Sequence, residues 1–169
     1  MNLISTTLIH KIRPPSTTGS EKPPVLVLLH GRGTNEDDLL GLVEYLDPRF
    51  FVISARAPFR FQDESGGYTW YDLREVGSPV LQQFDASYLK LIQFLADMKA
   101  GYPVDGERMF LLGFSMGSVV SFAAALTAPV TAPVALATWA SASEGTAIKA
   151  ATNMRLCVEY FFMTGYSYG

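Results

Sequence analysis

Met109-Phe110-Leu111-Leu112-Gly113-Phe114-Ser115-Met116-Gly117-Ser118 is a short apolar run, then Gly-x-Ser-x-Gly, then the start of a small-residue helical pattern. A strand that turns sharply into a helix at a serine lifts one hydroxyl clear of a sheet, as in a nucleophile elbow. Gly113 and Gly117 suit that turn, because strand and helix approach too closely there for side chains. A helix beginning at Ser115 aims its free N–H groups and its dipole at negative charge developing beside the serine. The Met116 N–H would be one oxyanion donor, and a second must come from another loop.

That loop is found upstream. Val25 to Leu29 is five apolar residues in a row, read as a buried strand, and His30-Gly31-Arg32-Gly33-Thr34-Asn35 follows it. A loop that leaves a buried strand and opens a helix is where the second donor is expected, and the Arg32 N–H is the candidate. Gly31 and Gly33 let the backbone approach a substrate oxygen. His30 precedes the serine, whereas this arrangement delivers its partners in the order serine, acid, histidine. His30 is therefore expected to hold the loop by a hydrogen bond rather than to act as the base.

Between and around these motifs, strands and helices alternate. Asn2 to Ile12 alternates and reads as an edge strand; Pro14 to Pro24 reads as a loop. A helix is expected from near Asn35, with Glu36, Asp37 and Asp38 in its first turn. Phe51 to Ser54 is another short buried strand, Ala55 to Gly67 a loop, and Arg74 to Pro79 irregular. Phe84, Tyr88, Leu91, Ile92, Leu95 and Met98 recur at helical spacing over Phe84 to Lys99, and Gly101 and Pro103 end that helix. Val134 to Trp139 is the next strand, and Leu156 to Met163 is strand-like. This order predicts one α/β domain over residues 1–169, a mostly parallel sheet flanked by helices.

Composition narrows the function classes. The 169 residues are 49% hydrophobic, enough for one domain with a core, and the net charge of −3 offers no basic surface for nucleic acid. One cysteine, Cys157, excludes an internal disulfide and fits a reducing cytoplasm; it reads as a small apolar filler. No charge occurs from Met109 to Ser143, but Gly113, Gly117, Pro129 and Pro133 divide that run. A strand, a buried helix and a second strand account for it, so no integral membrane segment is expected.

Leu28 to Leu39, Arg56-Ala57-Pro58, Trp70-Tyr71-Asp72 and Leu112 to Gly117 together resemble the phospholipase/carboxylesterase family of α/β-hydrolases, which includes the acyl-protein thioesterases. The likeness runs from about Val25 to about Trp139. It implies an α/β-hydrolase fold and a carboxylic-ester hydrolase acting on small ester or acyl substrates, lysophospholipids and thioesters among them, without metal or organic cofactor. It implies Ser115 as nucleophile, Arg32 and Met116 as oxyanion donors, and Trp70 and Tyr71 on a loop near the substrate pocket. Trp70 and Tyr71 read equally well as core aromatics.

The family pattern also places an aspartate and a later histidine after the strand at Trp139. Here the last aspartate is Asp105 and the last histidine is His30. Residues 142–169 read as an atypical tail, and the fold is expected to lack its last strand and helices, as a truncated or frameshifted chain would. Lys149 reads as a surface lysine, and Glu144 and Glu159 as acids with no histidine to orient. The chain is accordingly expected to be nearly inactive, and to form homo-oligomers through an exposed sheet edge. The alternative reading is a non-catalytic α/β-hydrolase-like module that binds an acyl or hydrophobic ligand.

Overall fold

The structure is a computed structural model. It describes residues 2–17, 19–62, 66–75, 78–127 and 134–139, and for Thr127 and 134–139 the backbone alone. The expected strand at Leu156 to Met163, Cys157, Lys149 and the tail from 142 lie outside the described residues.

Five strands form the main sheet: β1 (His10–Arg13), β2 (Pro24–Leu29), β3 (Phe51–Ala55), β8 (Asp105–Phe114) and β9 (Val134–Trp139), in the spatial order β1-β3-β2-β8-β9. β1 is antiparallel to β3, and the other neighbours are parallel. Two small hairpins stand apart, β4 (Phe59–Arg60) with β5 (Tyr68–Thr69) and β6 (Leu73–Glu75) with β7 (Ser78–Pro79). This is the mostly parallel, helix-flanked sheet that the order of elements in the sequence predicts.

The apolar run of β2 is explained by burial on both faces. Val25, Val27 and Leu29 enter the larger core with Leu91, Phe94 and Met98 of α1 (Leu81–Gly101) and Val120, Ala124 and Ala125 of α2 (Met116–Thr127). Leu26 and Leu28 face the other way, against Leu39 of a short 3₁₀ helix (Asp38–Tyr45). The uncharged stretch resolves into β8, α2 and β9. Among the described residues, no helix is long and apolar enough to cross a membrane.

The order β3-β2-β8 positions the site. From β2 the chain goes to β3 on one side, then returns through α1 to β8 on the other. That reversal opens a crevice at the C-terminal ends of β2 and β8, where open α/β sheets bind ligands. Leu29 pairs with Gly113 there, so the His30 loop and the Ser115 turn leave the sheet side by side.

The structure differs from the sequence expectations at several places. The first strand is His10–Arg13 rather than Asn2 to Ile12; the chain before it makes no strand pairing, although Leu8 is buried. No α-helix starts at Asn35. The helix is 3₁₀, begins at Asp38, and Glu36 turns inward to an arginine instead of lying in a first turn. α1 starts three residues early, and its buried line is Ser87, Leu91, Phe94 and Met98, rotated from the expected stripe. Ser87 is drawn inward because its hydroxyl donates to the Trp70 carbonyl. The loop at Ala55 to Gly67 and the irregular stretch at Arg74 to Pro79 each contribute strands to a hairpin, too short for alternation to reveal.

Candidate active site

Ser115 has φ 51°, the one positive φ outside glycine among the described residues. A left-handed residue with a β-carbon costs on the order of 1–3 kcal/mol and persists where its surroundings over-determine it. Gly113 and Gly117 do so here. A β-carbon on Gly113 would lie 2.5 Å from the Gly117 carbonyl carbon, and one on Gly117 would lie 2.0 Å from the Leu29 carbonyl oxygen. The Ser118 N–H and hydroxyl both donate to the Ser115 carbonyl, at 3.0 and 2.5 Å. The Ser115 side chain itself is exposed.

The His30 loop presses directly on this turn. A β-carbon on Gly31 would stand 2.8 Å from the Phe114 ring. Gly33 adopts φ 79°, which a side chain would disfavour, and its N–H donates to the Tyr68 carbonyl at 2.9 Å. Tyr68 N–H returns a bond to the Thr34 carbonyl at 2.7 Å, so the loop is stitched to the β4–β5 hairpin. Among the described residues, neither the Arg32 nor the Met116 backbone N–H donates to another protein group. Both remain available where the loop and the start of α2 meet, as an oxyanion pair requires.

His30 is fully buried and its ring is committed to the loop. Nδ1 donates to the Gly31 carbonyl at 2.6 Å, and Nε2 accepts the Ala57 N–H at 3.0 Å, which assigns the proton to Nδ1. The Trp70 indole N–H donates to the His30 carbonyl at 2.8 Å. Trp70 and Tyr71 both belong to the main core, Trp70 without exposed surface. Trp70 supports the loop from beneath, and Tyr71 packs edge-on against Phe84. The other histidine, His10, lies on the edge strand and bonds Tyr102 at 2.7 Å, so neither histidine is placed as a base for Ser115.

One part of the site was missed in the sequence. Arg56 grips Glu36 through Nε and Nη2, each at 2.5 Å, and donates to the Tyr68 hydroxyl at 3.1 Å. Glu36 is almost wholly buried, and the arginine beside it holds its carboxyl below the usual range against the opposing effect of burial. Arg56 and Ala57 thus fasten the end of β3 to both sides of the His30 loop. The signal available was the Arg56-Ala57-Pro58 block itself, but nothing in it named Glu36 as the partner.

A concavity at the opposite end of the strands is bordered by Arg49 and Arg108. Both are already held by carboxylates, Asp47 and Asp105, and it contributes nothing to the site.

Burial lowers the pKa of both histidines below the ordinary value. The unfolded chain therefore takes up protons near pH 6.5 that the folded chain refuses. Stability is full above that pH and falls as the pH drops through and below it. Calorimetry at pH 8, 6.5 and 5 should show a melting temperature that declines between the last two; an unchanged value at pH 5 would contradict the buried, neutral assignment.

Comparison with known proteins agrees with this geometry. A family model described as phospholipase/carboxylesterase matches residues 16–164. A carboxylesterase from Mesorhizobium loti superposes with a TM-score of 0.67 at 20% identity, over 80% of this chain and 62% of that one. A Bacillus cereus carboxylesterase gives 0.65 at 25% identity, over 77% and 59%. Esterase PE8 gives 0.65 at 22%, over 78% and 74%. The chain thus spans about three-fifths of the length of the two carboxylesterases.

Proposed function

The chain belongs to the phospholipase/carboxylesterase family, and from that premise we propose that it carries the nucleophile half of a carboxylic-ester hydrolase. Ser115 attacks the ester carbonyl, the alcohol leaves, and an acyl-serine is released by water. The Arg32 and Met116 N–H groups hold the oxyanion of each tetrahedral intermediate. The observation that carries this reading is the left-handed, exposed Ser115 beside a loop in which the Arg32 N–H has no acceptor among the described residues.

The reaction also needs a base to take the serine proton and return it to the leaving alcohol. No histidine follows His30 in the 169 residues, and His30 is occupied. Nucleophile and base act as a unit, so for these 169 residues by themselves the serine is expected to add little to the rate. Donors and binding alone leave about a thousandfold over water.

Hydrolysis of p-nitrophenyl acetate by the purified chain and by Ser115→Ala is the test. The two rates should agree within about twofold. Turnover that Ser115→Ala abolishes would show that a base among these residues reaches the serine.

A further inference from the structure

Arg32 has two faces, and the oxyanion role uses only its backbone. Its side chain is exposed at the rim of the site, with the guanidinium lying 4.4 Å above the centre of the Phe61 ring. Phe61 is itself fixed, since its N–H donates to the Gly67 carbonyl at 2.9 Å and the hairpin is bonded to the loop at Gly33 and Thr34. A guanidinium stacked on an aromatic face keeps its edge donors free, and that fork matches a carboxylate or phosphate.

The described carboxylates that follow it on the loop are engaged elsewhere. Glu36 is spent on Arg56, Asp37 on Lys11, and Asp38 accepts the Thr34 hydroxyl. Arg60, on the same hairpin, stacks on Tyr68 at 5.0 Å and donates to the Gly66 carbonyl. Among the described residues, no carboxylate pairs with Arg32 or with Arg60. Arg32 and Arg60 thus stand on the loop and hairpin that border Ser115 without a carboxylate partner among the described residues.

We propose that Arg32 is a specificity-determining residue that selects esters carrying a second, anionic oxygen group, a free carboxylate or a phosphate, over neutral esters of the same size. This rests on the ester-hydrolase reading of Ser115. The ester carbonyl lies toward the Arg32 and Met116 N–H groups, and the remote anion lies in the guanidinium fork above Phe61.

Because turnover is expected to be minimal, the test is binding. Amide chemical shifts of the isotope-labelled chain are followed at Gly31, Gly33 and Met116 during titration with four esters. Monoethyl succinate is compared with ethyl butyrate, and 1-butyrylglycerol 3-phosphate with 1-butyrylglycerol, which separates carboxylate from phosphate. In at least one pair the charged member should bind about fivefold tighter. The advantage should vanish in Arg32→Gln, persist in part in Arg32→Lys, and shrink in wild type at high salt. Equal affinities within both pairs, or an advantage that survives both Arg32→Gln and high salt, would overturn the assignment of Arg32 while leaving the ester site standing. If none of the four esters moves these amides, the ester-site reading itself fails, and the assignment with it.

Discussion

Gly117→Ala should destabilise the chain by at least ~3 kcal/mol and lower its melting temperature by about 6–12 °C. The added β-carbon would sit 2.0 Å from the Leu29 carbonyl oxygen and 2.7 Å from that of His30. Both atoms are backbone at the end of the central strand, so no side chain can swing aside. Either α2 lifts from the sheet or the His30 loop is pushed outward, and each response separates the Arg32 and Met116 N–H groups. Gly41→Ala is the matched control. It lies in the 3₁₀ helix, where a β-carbon meets nothing within 4 Å, and it should leave stability unchanged or slightly raised. Similar melting temperatures for the two variants would show that the close approach of elbow and strand is not a constraint.

Arg56→Met should cost about 3 kcal/mol, because it leaves the Glu36 carboxylate buried without its partner. The Tyr68 hydroxyl loses a donor as well. Removing both charges should be gentler than removing one, since the double variant Arg56→Met with Glu36→Gln buries no unpaired ion. Denaturant titration of the three proteins reads this directly. A double variant as unstable as the sum of the two single variants would mean that the pair is not coupled. The single variant should also shift the Gly33 and Thr34 amides, because Glu36 anchors the turn that follows them.

Much of the fold was legible because it depends on patterns within one segment. Val25 to Leu29 is buried on both faces, and an unbroken apolar run states this. Val134 to Trp139 matches the observed strand. The strand-to-helix turn at Ser115 was legible because its glycines are set by close backbone approach, which leaves no other residue type a place. What stayed hidden depends on pairs far apart in sequence. Glu36 looked like a helix-dipole residue, and only the folded chain brings Arg56 to it. Trp70 and Tyr71 carry two readings in the sequence, and only the folded chain brings the Trp70 indole to the His30 carbonyl. The stripe of α1 was misjudged because Ser87, a polar residue, is buried by one hydrogen bond to Trp70, which periodicity does not weigh.

The central claim is that Ser115 stands as a nucleophile facing the Arg32 and Met116 N–H groups, whether or not a base accompanies it. Phenylboronic acid tests it without needing one, since the serine oxygen adds to trigonal boron and releases its proton to water. Boron-11 spectra with the chain at neutral pH, below the range where hydroxide alone makes this boron tetrahedral, should show a tetrahedral signal, and the Arg32 and Met116 amides should shift with it. Both effects should be absent in Ser115→Ala. Boron that stays trigonal beside the wild-type chain, or a tetrahedral signal that survives Ser115→Ala, would contradict the account.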